Sequence, residues 1–380
     1  VFWELMADGM MLQQGELPPL DTPAGASQRV TLPLAEPTLP GSAECYLTIR
    51  FRLAYDEPWA GKGHEVAWEQ FKMPFSTPAP APLLLDAMPP LELQETTGKA
   101  IVSGENFRLA FDKQSGQISS WRYRDMALLE SGPVLNIWRA PTDNDGIQTV
   151  TDQSGQGYLE RWLEAGLDRL EYRTREVTVQ QPGPQVICFT VRTRVQADGG
   201  AEGFDHLHRY SLYGSGDLLI ENTVEASPQL PPLPRMGLTL SLPGGFERFS
   251  WFGRGPHENY IDRKSGAAVG LYRGTVDEQH VPYILPQENG NKTEVRWLTL
   301  TNGSGLGLLA VGMPLMEASA SHYTSHDLYR AFHTHELTRR EEIILNLDDR
   351  QCGLGGASCG PGTLPQYLIQ PGRFKFNFRL

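Results

Sequence analysis

Apolar and polar residues alternate along much of the chain, which is the pattern of strands that bury one face. The clearest case in the first part of the chain is CYLTIRFR, from Cys45 to Arg52. The same pattern predicts strands at Phe2–Leu5, Arg29–Leu34 and Trp68–Phe71, separated by Pro-Gly, Asp-Gly and Ala-Gly turns. Residues 1–75 are therefore predicted to form an immunoglobulin-like β-sandwich, which is partial because such domains run to about 100 residues.

A proline-rich stretch follows this region. It reads MPFSTPAPAPLLLDAMPP from Met73 to Pro90. Such segments are typically extended, semi-rigid spacers. An edge strand that includes LLLD is the alternative, but we predict a linker over residues 76–95.

Hairpin follows hairpin in the remainder of the chain. Turn residues separate pairs of alternating segments at Lys113–Gly116, Pro182–Pro184, Gly214–Asp217 and Asn302–Gly303. Helical spacing of apolar residues occurs from Tyr158 to Leu170. The pattern predicts an all-β chain, in which residues 96–380 form one large antiparallel domain with a single short helix.

Composition and charge exclude several classes of function. The 33 Lys and Arg residues against 45 Asp and Glu residues give a net charge of −12, which disfavours nucleic acid and membrane surfaces as partners. No apolar run is long enough for a transmembrane helix. No signal peptide is visible, and the opening VFWEL inside a predicted strand suggests a piece of a longer protein. The 4 cysteines form no metal-binding cluster, so we expect reduced thiols and a cytoplasmic location.

Two polar motifs interrupt the strand pattern. RAPTDNDG, from Arg139 to Gly146, places two carboxylates and an amide on a turn. These side chains either cap the turn or face the hydroxyls of a sugar. WFGRGPHENYIDR, from Trp251 to Arg263, offers His257 beside Glu258 as an acid/base pair or as part of a polar corner. The first motif lacks the remainder of a calcium loop and the second lacks the third glycine of a dinucleotide site.

Two further motifs lie closer to the end of the chain. CGLGGASCGPGTLP, from Cys352 to Pro365, is a glycine-rich loop in which Ser358 and Cys359 are conceivable nucleophiles without a local base. PQENGN, from Pro286 to Asn291, offers Glu288 as a hydrogen-bond acceptor. Neither loop has the features of a phosphate cradle.

The order of these motifs resembles that in the C-terminal region of family 2 β-galactosidases of the large bacterial type. WRAPTDND, ERW, WFGRGPHENYIDR, YILPQENGN and GLGGASCGPG follow one another as in that family. The resemblance covers residues 100–380 strongly and the preceding immunoglobulin-like region weakly. It implies a galactose mutarotase-like β-supersandwich after the first domain.

The resemblance also implies where the chemistry lies. The two catalytic glutamates of this retaining family, and its Mg²⁺ and Na⁺ ligands, belong to a (β/α)₈ domain of the same polypeptide, so no catalytic residue, metal site or cofactor is expected here. This portion would be inactive alone, would help to shape the active-site rim and would take part in a homo-oligomer. Nothing in the chain predicts eight βα units.

The resemblance assigns rim positions to residues of two loops. Asn144, Asp145 and Gly146 map to the start of a gating loop, and Ser358 and Cys359 map to a loop that lines the galactoside pocket. His257 and Glu288 are weaker candidates. Some family members have tryptophan where this chain has Cys359, so we expect a different preference for the leaving group of the substrate. The two loops are expected to lie together at one exposed edge.

Two alternatives belong to other functional classes. One is a mutarotase-like sugar epimerase that would use His257, His280 or His322 with Glu288. The other is a stand-alone carbohydrate-binding module. A shared fold alone does not carry a shared function. An epimerase would accelerate the interconversion of galactose anomers, whereas a galactosidase portion would not.

Overall fold

The computed structural model describes residues 1–39, 41, 43–75, 77, 84–146 and 157–380. Two compact units are present: Val1–Leu83 with Ala268–Leu271, and Leu84–Ala267 with Tyr272–Leu380. Strands dominate both units, which confirms the predicted all-β class. Part of the predicted linker, residues 76 and 78–83, lies outside the described residues. Its last residues, Glu92–Glu95, form a strand of the second unit, so the described linker is shorter than predicted.

The first unit contains one antiparallel four-stranded sheet in the order β2-β1-β3-β4. Its strands are β1 (Phe2–Ala7), β2 (Met10–Glu16), β3 (Cys45–Arg52) and β4 (Glu65–Lys72). Burial alternates along β1, so that Trp3, Leu5 and Ala7 enter a small core. This sheet is one layer of the predicted partial sandwich.

The predicted strand at Arg29–Leu34 is wrong, because this segment forms no strand in the structure. Pro33 has no N–H with which to join a ladder. The N–H of Leu34 instead bonds the carbonyl of Leu32 at 2.9 Å, which closes a tight local turn. Val30 is 41% exposed, whereas Leu32 and Leu34 pack against the core of the first unit, so the alternation marks partial burial without strand pairing.

The second unit contains two sheets. A five-stranded meander pairs its strands in chain order: β5 (Glu92–Glu95), β6 (Lys99–Ser103), β7 (Phe107–Asp112), β8 (Gln117–Tyr123) and β9 (Met126–Leu129). The larger sheet has twelve strands: β10 (Ser131–Asn136), β11 (Leu170–Gly183), β12 (Val186–Ala197), β13 (Gly203–Tyr213), β14 (Leu218–Ala226), β15 (Arg235–Leu242), β16 (Arg248–Gly255), β17 (Ala268–Thr275), β18 (Lys292–Thr301), β19 (Gly307–Ser321), β20 (Ile343–Gln351) and β21 (Arg373–Arg379).

The main path of the twelve-stranded sheet runs β10-β15-β20-β19-β21-β14-β13-β12-β11. The strand β21, last in the chain, therefore lies inside the sheet between β14 and β19, with antiparallel pairing to both. Alternate residues of the strands fill one core; Phe111 stacks on Phe189 with ring centroids 4.4 Å apart. Loops that follow β10, β16, β17 and β20 emerge from this framework and carry the polar motifs.

The predicted helix at Tyr158–Leu170 is shorter in the structure, where α1 spans Leu159–Glu164. Gly166 ends it with a φ of 68°, a conformation that favours glycine, and the N–H of Leu167 bonds the carbonyl of Trp162 at 3.0 Å. A second helix, α2 (Ser325–Arg330), was not predicted, so the expectation of a single helix is wrong. Neither helix is long and apolar enough to span a bilayer, and the same holds for every helix in the described part of the chain.

Candidate functional site

A buried ion pair shapes the turn of the RAPTDNDG motif. The side chains of Arg139 and Asp145 are 0% and 1% exposed, with two charge-assisted contacts of 2.7 and 2.9 Å from Nη2 to the carboxylate. The same carboxylate accepts hydrogen bonds from the backbone N–H and the hydroxyl of Thr142, at 2.9 and 3.1 Å. Burial alone would lower the pKa of Arg139, but Asp145 outweighs it, and the pKa is raised. The ion pair fixes the fold of the turn.

Asp145 was expected to face a sugar at an exposed edge. The residue is buried in the structure, so this expectation is wrong. Both oxygens of its carboxylate accept hydrogen bonds from Arg139, and one of them also accepts from the N–H of Thr142. The side chain that the turn presents to a neighbouring loop is that of Asn144, which is half-buried. Gly146 follows it with a φ of 98°. The predicted gating residues just after Gly146, at 147–156, lie outside the described residues.

Asn144 joins the two predicted rim loops. Its Oδ1 accepts hydrogen bonds from the backbone N–H and the hydroxyl of Ser358, at 3.1 and 2.7 Å. Its Nδ2 donates to the carbonyl of Gly355 at 3.0 Å. The expected proximity of the loops is confirmed, although 214 residues separate the bonded pair. We define Asn144, Gly355 and Ser358 as the loop junction.

A third loop supports the junction from the WFGRGPHENYIDR motif. The carboxylate of Asp262 accepts hydrogen bonds from the backbone N–H groups of Leu354 and Gly355, at 3.0 and 2.8 Å. The guanidinium of Arg263 donates to the carbonyl of Gly355. Gly355 has a φ of 64°, and a Cβ there would lie 2.6 Å from the hydroxyl of Thr363. The loop therefore requires glycine at this position.

Cys359, next to Ser358, is exposed. Its N–H bonds the carbonyl of Gly356 at 3.1 Å, so its backbone belongs to a closed turn while its thiol faces outward. A change of this side chain would alter the surface at the loop tip without removing a contact of the loop junction.

A cleft of about 660 Å³ lies beside the junction. Both polar and aromatic groups line it, among them His257, Glu258, Tyr260, Arg263, Tyr283 and Lys292. Glu258 accepts hydrogen bonds from the hydroxyls of both tyrosines and, at 2.7 Å, from the backbone N–H of Gly290. His257 is exposed and is not among these hydrogen-bond partners of Glu258. The proposed acid/base pairing of these neighbours stays a prediction.

Lys292 lines this cleft although its side chain is buried. It is 1% exposed, donates to the carbonyl of Gly290 at 3.0 Å and lies 5.1 Å from the ring centroid of Trp251. Burial lowers the pKa of its amine to about 8. Sequence reasoning did not select Lys292 or Tyr283, because neither stands out in the strand pattern. A cleft with hydroxyl, carboxylate, ammonium and guanidinium groups and tyrosine rings is chemically suited to a neutral, hydroxyl-rich ligand.

Glu288 belongs to a buried polar cluster below the loops. We define the Arg235 cluster as the buried residues Arg235, Glu288, Asn291, Glu317, Asp348 and Gln351. Glu288 accepts hydrogen bonds from Arg235 at 2.7 Å and from Gln351 at 3.1 Å. The Arg235 Nε lies 3.0 Å from Asp348, and Glu317 accepts from the backbone N–H of Gln351 at 3.1 Å. These contacts give Glu288 a structural role in the fold.

The histidines considered with Glu288 for an epimerase are engaged elsewhere. Nδ1 of His322 lies 3.1 Å from the carbonyl of Glu342, and Nε2 lies 2.9 Å from Glu247. The ring of His280 packs 5.0 Å from that of Tyr323. The Glu288 partners given above include none of these histidines.

The comparisons with known proteins agree with this architecture. The family model described as beta galactosidase small chain matches residues 103–380, and the model described as domain 4 of beta-galactosidase matches residues 1–74. The first match covers more than half of the chain. The chain therefore belongs to the beta-galactosidase small chain family.

Individual relatives are similar over most of this chain. A beta-galactosidase of Priestia megaterium is 37% identical over 335 residues, which cover 88% of this chain and 31% of that protein. A beta-galactosidase of Vibrio cholerae is 32% identical over 392 residues, which cover 99% of this chain and 36% of that protein. The chain thus spans about a third of the length of these curated relatives.

Solved structures with a similar fold include an aldose epimerase homologue from C. elegans. The two chains are 9% identical, with a TM-score of 0.36, over 75% of this chain and 98% of that chain.

Proposed function

We propose that this chain is a non-catalytic portion of a β-galactosidase that hydrolyses terminal β-D-galactosyl residues, and that its loops form part of the active-site rim. The observation that carries the proposal is the loop junction, in which Asn144 bonds both Gly355 and Ser358. This contact holds two distant loops as one unit beside a polar cleft. Family membership supports the same assignment.

The carboxylates near the junction support a role in binding and not in bond cleavage. A retaining glycosidase needs two carboxyl groups roughly 5–5.5 Å apart, one free to transfer a proton and one free to attack. Here Asp145 is bound to Arg139, Asp262 to backbone N–H groups, and Glu288 to Arg235. We therefore assign the catalytic glutamates to a (β/α)₈ domain of the same polypeptide.

The location of the metal sites is part of the same proposal. Two groups of three potential ligands occur in the described part of the chain, and neither includes a residue of the loop junction or the adjacent cleft. We propose that Mg²⁺ and Na⁺ are bound by the catalytic domain.

The remaining parts of the proposal concern organisation. We propose a first domain over residues 1–75, a linker that begins at residue 76 and ends before β5 at Glu92, and a second domain from β5 to residue 380. We also propose a homo-oligomeric parent enzyme and a cytoplasmic location. A galactoside is the proposed substrate, and neither nucleic acid nor a membrane is a proposed partner. The net charge of −12 supports the last point.

The test of the rim role replaces Cys359 in an intact β-galactosidase that carries this chain. Cys359→Trp adds part of the roughly 150–250 Å² of an aromatic side chain to the loop tip. We expect KM to change by about threefold or more and kcat by less than about twofold, since the loop contributes binding and no proton transfer. Cys359→Ser is the matched control and is expected to leave both constants unchanged. Unchanged kinetics in Cys359→Trp would contradict the rim assignment.

A second experiment separates the proposal from the epimerase alternative. The purified 380-residue chain is incubated with a chromogenic β-galactoside and, separately, with freshly dissolved α-D-galactose. We expect no hydrolysis above the rate without protein and no acceleration of the change in optical rotation. Hydrolysis that co-purifies with the chain would refute the non-catalytic assignment, and faster mutarotation would favour the epimerase.

A further inference from the structure

Two clusters of potential metal ligands lie outside the rim, and they differ in what already occupies them. One contains Glu247, Asp277 and His322, and the other contains His333, His335 and Glu336. Within each cluster, the nearest potential ligand atoms all lie within 4.8 Å of one another. We call them the arginine-filled cluster and the His-X-His-Glu cluster.

A guanidinium occupies the first cluster. Arg339 donates from Nε and Nη2 to the two carboxylate oxygens of Asp277, at 3.0 and 3.1 Å, and its Nη2 lies 2.9 Å from Nε2 of His322. The same Nη2 lies 3.7 Å from Glu247. The positive charge of Arg339 thus stands where a cation would bind. A metal ion there would have to displace a bidentate ion pair.

The second cluster presents its ligand atoms to solvent. His333, His335 and Glu336 are all exposed and lie on the segment between α2 and β20. Nδ1 of His333 is 2.8 Å from Oε1 of Glu336, and the two imidazole rings stack with centroids 5.3 Å apart. The other carboxylate oxygen accepts a hydrogen bond from the N–H of Phe332 at 2.8 Å. That bond holds the Glu336 carboxylate beside the two rings.

The electrostatics of this cluster favour a cation. Glu336 is hydrogen-bonded by a histidine ring and a backbone N–H, and no guanidinium bonds it in the described part of the chain. The cluster therefore offers two imidazole nitrogens and one carboxylate oxygen.

We propose that His333, His335 and Glu336 form a surface site for a borderline divalent metal ion, represented by Zn²⁺. Imidazole and carboxylate groups bind zinc at about 2.0–2.2 Å, and two histidines with one glutamate leave a fourth position for water. Closing the present separations to that geometry needs side-chain rotations only, because none of the three groups is packed in a core. Thiolate ligands are absent from the set, so softer ions such as Cu(I) are disfavoured.

The test measures Zn²⁺ binding to the whole chain by isothermal titration calorimetry in a non-chelating buffer. All proteins carry Cys359→Ser, so that the exposed thiol does not contribute. The expected result is one zinc ion per chain and an affinity at least about tenfold weaker in His335→Asn. The matched controls are His64→Asn, at an exposed histidine of the first unit, and Glu247→Gln, in the arginine-filled cluster; both are expected to bind as the parent does.

Substitution by Co²⁺ supplies an independent readout of coordination by histidine. We expect visible d–d absorption on addition of Co²⁺ to the parent and its loss in His335→Asn, with unchanged circular dichroism. Parent-like zinc binding by His335→Asn would overturn the proposal. Loss of binding in Glu247→Gln alone would also overturn it, because that result would place the ion in the other cluster.

Discussion

Two buried arginines of the second unit, Arg139 and Arg235, differ in how carboxylates balance their charge. Arg139 faces Asp145, which is also bonded by Thr142, so that one positive charge meets one well-satisfied negative charge. Arg235 faces Glu288 and Asp348, with Glu317 joined through Gln351. One guanidinium there cannot balance three carboxylates. We therefore expect the charge of the Arg139 pair to be constant and that of the Arg235 cluster to depend on bound protons.

The pKa shifts follow from this difference in charge balance. Burial raises the pKa of Glu317 to about 7 and raises the pKa of Asp348 well above its usual range, although Arg235 acts in the opposite direction on both. Glu317 is therefore partly protonated near neutral pH. The Arg139 pair holds the rim turn in one charge state, whereas the Arg235 cluster changes its charge with pH.

The largest expected effect comes from Asp145→Asn. This change leaves Arg139 charged and buried with no anion, and arginine does not release its proton in proteins. Loss of one partner of a buried pair typically costs about 3–5 kcal/mol, and we expect a loss of that size in the free energy of unfolding by urea. The matched control is Asp349→Asn, which removes a partly exposed pair with Arg350 and should cost less than about 1 kcal/mol. Equal costs would contradict the comparison.

An intermediate effect is expected from Glu317→Gln, and it depends on pH. The folded-state pKa of about 7 lies above the usual 4.5, so the stability from the neutral group is complete below about pH 4.5 and is lost as the pH rises through 7. Glutamine keeps an oxygen for Asn291 and Gln351 and does not titrate. The stability of the variant relative to the parent should therefore rise by about 3 kcal/mol between pH 4.5 and pH 8.

The measurement for this variant is urea denaturation at several pH values across that interval. Glu341→Gln is the control, because Glu341 is exposed, and its stability relative to the parent should not change with pH. A flat difference for Glu317→Gln would mean that this carboxyl is charged in the folded protein at all of these pH values.

The smallest effect is expected from Asp348→Asn. Burial raises the pKa of Asp348, so asparagine replaces an acid whose charged form the site disfavours and keeps its shape, while Glu288 continues to neutralise Arg235. We expect a cost below about 1 kcal/mol at pH 7 in the same denaturation experiment. A cost near that of Asp145→Asn would show that Asp348 carries its charge and that both arginines are paired alike.

The strands could be predicted because their signal is local. In the β11–β12 hairpin, alternating residues flank a Pro-Gly-Pro turn, and β11 ends at Gly183 before β12 begins at Val186. Alternation at Arg29–Leu34 misled because a strand needs a hydrogen-bonded neighbour, which this segment lacks in the described structure, although Leu32 and Leu34 pack against the core. The helix α2 had a readable signal in Thr324 and Asp327, which form a capping box.

The site was harder to predict because its contacts cross long distances in the chain. Asn144 and Ser358 were placed together by family resemblance, and no local pattern links them. Asp145 was expected at the surface since acidic residues beside glycine commonly cap exposed turns, yet Arg139 draws it inward. The burial of Arg235 and Lys292 could not be predicted from the sequence. Each is a single basic residue in a strand, and it is buried only when the strands of the sheet come together.

The position of β21 has a consequence for synthesis of the protein on the ribosome. Every other strand of the twelve-stranded sheet precedes it in sequence, yet it is the strand that pairs with both β14 and β19. Until it emerges, β14 and β19 each present an unpaired edge, and open edges invite pairing with other chains. The nascent polypeptide must protect both edges until β21 joins them, with seven residue pairs to β14 and three to β19.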